Sequence, residues 1–256
     1  MNETFDAPMN MAIDEALLLK AIDWRSRTPA VRFYDWLRRA VSIGYFQKIA
    51  VVRDILKPVQ TSFEIVRRMT GGGVVFHGND ITFSIVAPEE AFAGGEGPGK
   101  VVESYRKVNE AIRSGISAIR EAGSGGPTSL ERQAASIRAT KLCFAQPTKY
   151  DVMYEGRKIA GGAQRRIGGY VLYQGSILMR REPEEELSAL LGPTAATMEE
   201  IAGRKLDRNE AVRQLRAGFE EAFGRCAPAA IDETVIDQAR RLAIERYGCD
   251  EWLNAY

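Results

Sequence analysis

Arg67-Arg68-Met69-Thr70-Gly71-Gly72-Gly73-Val74-Val75-Phe76-His77 places two guanidinium groups, three consecutive glycines and the single histidine of the chain within eleven residues. Glycine has no Cβ, so backbone N–H groups in such a run can turn toward a ligand without steric penalty. Consecutive N–H groups form a concavity for an anion or a carbonyl oxygen, and the preceding arginines add charge-assisted donors. The flanks, Phe63 to Arg67 and Val74 to Phe76, are rich in aromatic and β-branched residues and read as strands. Taken alone, the run reads first as a tight strand–turn–strand corner followed by a core histidine, and only second as a ligand-binding loop.

Outward from this corner the pattern alternates between short strands and a few long helices. Residues 10–22 are helical in pattern after Pro8, with Asn10 as the expected N-cap. Ala30 to Trp36 and Ala40 to Phe46 are expected to be paired strands, and Ile81 to Val86 another. The stretch from Ala87 to Lys100 turns to Glu, Gly and Pro and reads as an exposed loop. Val101, Tyr105, Val108, Ile112, Ile116 and Ile119 recur at spacings of three and four, an amphipathic helix. Residues 122–129 read as a flexible break, Asp151 to Lys158 as a hairpin turning at Glu155-Gly156, and Tyr170 to Leu178 as a buried strand. From Pro183 onward the pattern is helical, punctuated near Gly192-Pro193, Gly224 and Pro228. Strands first, helices packed on one side and no regular βαβ alternation indicate an α+β fold, a mixed β-sheet core flanked by helices. Residues 1–256 are expected to form one domain, with 183–256 its mainly helical C-terminal part.

Composition excludes several classes. A chain of 256 residues with 45% hydrophobic and 27% charged residues can build a real core. A net charge of +1 argues against a general nucleic-acid binder. Apolar runs such as Ala16 to Leu19 are far too short to span a bilayer, and Met1 to Asp6 lacks the basic and apolar regions of a signal peptide. Cys143, Cys226 and Cys249 are few, odd in number and widely spaced, which fits a reducing cytoplasm and gives no metal signature. With one histidine, no metal site is expected.

A second segment narrows the reading. Residues 156–166 run Gly-Arg-Lys-Ile-Ala-Gly-Gly-Ala-Gln-Arg-Arg, followed by Gln-Gly-Ser-Ile-Leu at 174–178. Together with Arg-Arg-x-x-Gly-Gly-Gly-x-Val-x-His, in that order, this resembles the biotin/lipoate protein ligase superfamily. Within it the match is to the branch of lipoate-protein ligase A and the cysteine-dependent octanoyltransferases. The resemblance runs from about Asn10-Met11-Ala12-Ile13-Asp14-Glu15-Ala16 to about Leu178. The Gly-Arg-Gly-Arg-like loop of a biotin ligase is absent. The resemblance implies a mixed sheet related to class II aminoacyl-tRNA synthetase cores.

It also implies roles. By position alone Lys158 would be a solvated hairpin lysine; in the family the lysine of Gly-Arg-Lys-Ile-Ala-Gly holds the acyl carbonyl, and a fixed cation stabilises the charge that acyl transfer develops there. Gly161, Gly162 and Ala163 would let the strand approach the acyl group. A lone cysteine is usually a small buried hydrophobe, yet the stretch Cys143-Phe-x-x-Pro-Thr-x-Tyr-Asp resembles octanoyltransferases in which this cysteine becomes the acyl-enzyme. A thiolate is competent for that if nearby cations lower its pKa, as Lys158 would. Cys226 and Cys249 are expected to be structural. Arg67 or Arg68 would close the acyl pocket beside Gly71, Gly72 and Gly73. His77 would be a wall of it, because relatives often continue His-Asp whereas this chain continues His77-Gly78-Asn79-Asp80, a departure that argues against a carboxylate-oriented histidine.

The doublets Arg38-Arg39, Arg67-Arg68, Arg165-Arg166 and Arg180-Arg181 read either as solvated surface or as steering charge for acidic carrier proteins. The leading expectation is an acyltransferase of lipoate metabolism, taking an octanoyl or lipoyl group from an acyl carrier protein or lipoyl-domain donor to a lysine of a lipoyl-domain acceptor. It would need no tightly bound cofactor, only the acyl thioester. The alternative is an ATP- and Mg-dependent lipoate-protein ligase, disfavoured by Tyr150-Asp151 where many ligases carry Asn-Asp; a non-catalytic binding module of the same fold is a third reading. Neither nucleic acid nor membrane is expected as a partner.

Overall fold

The computed structural model describes residues 3–57, 59, 62–94, 100–121, 151–182, 185, 188 and 194–256. Cys143 and the expected break at 122–129 lie outside the described residues, as does Gly192-Pro193.

Among the described residues, nine strands form two sheets. β1 (Glu3–Phe5), β2 (Ala30–Trp36), β6 (Asp80–Pro88), β9 (Tyr170–Leu178), β8 (Arg157–Ile167) and β7 (Val152–Tyr154) make a six-stranded sheet in that spatial order. It is mixed: β1 runs parallel to β2, and the other neighbours are antiparallel. The smaller sheet has order β4 (Glu64–Arg67), β3 (Ala40–Ile43), β5 (Val75–His77), with β3 parallel to β4 and antiparallel to β5. β2 and β3 were expected to pair, and they do not. Leu37-Arg38-Arg39 between them lacks hairpin-turn chemistry, and β3 leaves the first sheet to found the second.

Period-2 alternation divides the faces of the large sheet. Ile81, Phe83 and Ile85 of β6 and Val171, Tyr173 and Ile177 of β9 bury one face against α3 (Val101–Glu121) and α5 (Arg208–Phe223). These two helices approach closely because Gly115 lies against Leu215 and Gly218 against Ala111, where a Cβ would clash with backbone. The opposite face, with Thr82, Ser84, Gln174 and Ser176, meets α1 (Ala7–Asp23) and the small sheet. Helices therefore cover both faces rather than one, because α1 and α6 (Glu233–Leu242) form a second apolar cluster with Tyr34 and Trp36 of β2. The short α2 (Ile49–Leu56) covers the small sheet through Ile49 and Val52.

Helix α1 starts earlier than expected. Asp6 is its N-cap and accepts from Met9 N at 2.9 Å, with Pro8 in the first turn. Asn10 is instead buried, and its amide donates to Phe5 O (3.1 Å) and Asp35 O (3.0 Å), tying the helix to β1 and β2. The loop after β6 also differs from the expected exposed one: Glu89–Phe92 forms a 3-10 turn and Phe92 is buried against Phe223. The last elements are α4 (Met198–Ala202), a π-helical turn at Ala243–Tyr247 and α7 (Asp250–Leu253). Among the described residues no helix is long and apolar enough to cross a membrane.

Candidate active site

A cleft opens between the polar face of the large sheet and the small sheet. It encloses about 440 Å³ including its open mouth. Met11, Trp36, Val75 and Ala163 give it apolar walls, while Ser42, Arg68, His77, Thr82, Gln174 and Ser176 supply polar ones. Gly72, Gly161 and Gly162 also line it, so the two glycine segments singled out in the sequence face one cavity from opposite sheets.

The glycine loop is held from behind. Gly44, at the end of β3, has no room for a Cβ: one would sit 2.0 Å from Gly72 O. Arg68 holds it from the front, donating from Nη2 to Gly71 O and Gly73 O at 2.9 Å each. The loop thus presents two of its carbonyls to Arg68, and Gly72, at φ +89°, is the member that lines the cleft. Of the arginine pair only Arg68 serves the cleft. Arg68 follows the last residue of β4 and its N still donates to Ile43 O at 2.9 Å, so the strand's alternation carries over to it, and Arg67 is fully buried on the other side. It donates to the carbonyls of Tyr45, Gln47, Trp252 and Leu253.

His77 is a wall of the cleft and is oriented by a carboxylate, contrary to the expectation drawn from Gly78. Its Nδ1 lies 2.9 Å from Asp80 Oδ2 and its Nε2 2.6 Å from Ser42 Oγ. Gly78, at φ +139°, turns the chain so that Asp80 returns to the ring. The imidazole stacks on Trp36, with centroids 4.1 Å apart. Burial would raise the Asp80 pKa, but the adjacent His77 and hydrogen bonds from His77, Ser176 and Thr82 outweigh it and hold the carboxyl at about 2.

Lys158 is buried, not solvated, and its Nζ pairs with Asp151 Oδ2 at 2.9 Å. Its strand position is set by a bulge. Met153 pairs with Lys158 and Val152 with Ala160, leaving Ile159 as the extra residue of β8. Ile159 and Ala160 both enter the core cluster, so Lys158 falls on the strand face shared by Gly161 and Ala163. A parallel bridge to Ala195 anchors its backbone, with Lys158 N donating to Thr194 O and Ala196 N to Lys158 O. Gly162 also serves the opposite face of the sheet. A Cβ there would meet the Tyr173 ring at 2.4 Å, so its bareness seats that ring on the core side.

The sequence pattern did not reveal a buried hub. Asp14, on α1, accepts from Arg32, Ser84, Tyr34 and Gln174, and Gln174 in turn accepts from Thr70 at 2.7 Å. It fixes the floor of the cleft. Its members are scattered over one helix and strands β2, β6 and β9, so no local motif marks them. The other arginine doublets are largely committed within the chain: Arg38 to Glu64, Arg39 to Glu182, Arg166 to Glu89 and Arg181 to Glu200, with Arg165 over the Tyr45 ring. Cys226 and Cys249 are half-buried, and burial raises the Cys226 thiol pKa, unlike a thiolate nucleophile.

A family model, the lipoyl protein ligase A/B catalytic domain, matches residues 6–221. The chain belongs to this family. It is 34% identical to octanoyltransferase LipM of Symbiobacterium thermophilum over 96% of this chain and 93% of that protein. It is 31% identical to LipM of Bacillus subtilis over 95% and 92%. A crystal structure of lipoate-protein ligase A bound with ATP superposes with a TM-score of 0.75 at 25% identity, covering 98% of this chain and 95% of that one. A putative lipoate protein ligase from T. acidophilum shares the fold with a TM-score of 0.75.

Proposed function

We propose that this chain is an octanoyltransferase of lipoate metabolism working through a thioester on Cys143. What carries the reading is the likeness to LipM octanoyltransferases over nearly the whole of both chains. The cleft suits this chemistry, with apolar walls for an alkyl chain and polar groups at Arg68 and His77. In the first step the Cys143 thiolate attacks the octanoyl thioester of an acyl carrier protein or lipoyl-domain donor, and the carrier thiolate leaves. In the second, a neutral lysine amine of a lipoyl-domain acceptor attacks octanoyl-Cys143. The amide forms, and the cysteine sulfur leaves as thiolate while the amine proton goes to solvent. Both steps put negative charge on the acyl oxygen, which the Lys158 ammonium, held by Asp151, would stabilise. The reading takes residues 1–256 as one catalytic unit, supported by the packing of α5 on α3 and of α6 on α1, and assigns it to the cytoplasm.

The test is incubation with octanoyl-carrier protein without ATP, followed by intact-protein mass spectrometry. One octanoyl adduct, labile to hydroxylamine and absent from Cys143→Ser, is expected. Modification of a lipoyl domain that requires ATP and free lipoate would favour the ligase reading instead.

A further inference from the structure

The hydrogen bonds around His77 form a chain that takes a single direction when the imidazole is neutral. Asp80 Oδ2 accepts from Ser176 Oγ (2.7 Å) and Thr82 Oγ1 (2.8 Å), and Asp80 Oδ1 accepts from Gly78 N (3.2 Å). An ionised carboxylate only accepts, so the His77 nitrogen facing it, Nδ1, carries a hydrogen. In the neutral imidazole Nε2 is then an acceptor, and the Ser42 hydroxyl donates to it. The Ser42 oxygen is left to accept from Arg68 Nη1 at 2.6 Å, while Arg68 Nη2 grips Gly71 O and Gly73 O. An unbroken series of hydrogen bonds therefore joins a buried carboxylate to the glycine loop.

We propose that Asp80, His77 and Ser42 are positioning residues for acyl transfer, fixing Arg68 and through it the glycine wall of the cleft. The inference rests on the octanoyltransferase reading for what the cleft binds. The same three residues stand at the distances of a Ser-His-Asp hydrolytic triad. Ser42, however, is a mid-strand residue, 1% exposed, whose oxygen already receives the Arg68 guanidinium. Its place is that of a relay and not of a nucleophile.

Since the chain has one histidine, imidazole ¹⁵N NMR reads the relay without ambiguity. Titrated to its neutral form, the wild-type ring should show the Nδ1–H tautomer with a hydrogen-bonded Nε2. Ser42→Ala should move Nε2 toward the free-acceptor position and raise KM for octanoyl-carrier protein roughly tenfold, the usual worth of one charge-assisted hydrogen bond, with kcat within about threefold. Should Ser42→Ala fail to fold, Asp80→Asn is the second variant: its amide can donate to Nδ1, shift the ring to the Nε2–H tautomer, and raise KM in the same way. Unchanged KM in a folded variant with an altered imidazole signal would overturn the proposal, as would labelling of Ser42 by a fluorophosphonate. If the wild type transfers no octanoyl group, the functional reading fails by itself. Octanoate binding by calorimetry then decides the relay, with weaker binding in Ser42→Ala supporting it and equal or no binding overturning it.

Discussion

Arg67 and Trp252 hold each other in both directions: the guanidinium donates to Trp252 O at 2.9 Å, and the indole Nε1 donates to Arg67 O at 3.0 Å. This pins the last helix, α7, to strand β4. Trp252 also packs edge-on against Tyr45 and Tyr247. Arg67 is thus a structural bolt beside the active site, and its neighbour Arg68 serves the cleft.

Arg67→Ala should therefore act on stability. It takes the donor from four partly buried carbonyls, which water can reach in part, so against ~1–3 kcal/mol for each fully buried group we expect a loss of roughly 3 kcal/mol in urea unfolding. Octanoyl transfer by the fraction still folded should stay near the wild-type rate. Arg67→Lys should recover little, since one ammonium cannot reproduce the planar fork. A large fall in kcat with unchanged stability would contradict the assignment.

Asp80 predicts an acid-sensitive contribution to stability. Its carboxyl titrates at about 2 in the fold, below its ordinary value of 3.8. A depressed folded pKa contributes stability that is fully present above about pH 4 and lost as the pH falls from there toward 2. The shift corresponds to roughly 2–3 kcal/mol. The stability gap between wild type and Asp80→Asn, followed by denaturant unfolding, should be full at pH 7 and shrink below pH 4. A gap that stays constant down to pH 2 would show that the charge of Asp80 is not what stabilises the site.

Local periodicity made most elements legible and failed where partners are distant. The spacing of Val108, Ile112, Ile116 and Ile119 is enough to write α3, and the alternation in Ile81 to Val86 is enough to write β6. The separation of β2 from β3 was not legible, because β3 is buried on every residue and so carries no face pattern to say which sheet it joins. In the site, the glycine loop and the Gly161–Ala163 strand were readable because bare backbone leaves a mark in sequence. The division between Arg67 and Arg68 was also readable in principle, since adjacent strand residues cannot share a face. Asp80 was obscured by comparison with His-Asp relatives, which hid that a turn at Gly78 brings a carboxylate back from three positions on.

The Lys158–Asp151 pair is expected to combine structure and chemistry, and a double variant separates them. Lys158→Ala should lose ~10²–10³-fold in turnover, as deletion of an oxyanion donor does. It also takes from the Asp151 carboxylate its ammonium partner, and breaking a buried pair costs ~3–5 kcal/mol. Adding Asp151→Leu to Lys158→Met should restore much of the stability without restoring turnover. Recovery of turnover along with stability would reduce Lys158 to a structural role.

Gly44→Ala tests the seat of the glycine loop without touching a polar group. The new methyl would lie 2.0 Å from Gly72 O and 2.9 Å from Gly72 C, both backbone atoms that no side-chain rotation can clear. The loop must move toward Arg68 and the cleft, so KM for the octanoyl donor should rise at least tenfold, while the small sheet, paired through β3 on both sides, keeps the protein folded. Gly71→Ala is the contrast: a Cβ there meets nothing within 4 Å and the residue is not at positive φ. It should lose much less. Equal losses from the two substitutions, measured by donor titration with circular dichroism as the check on folding, would mean that glycine at 44 is not what seats the wall.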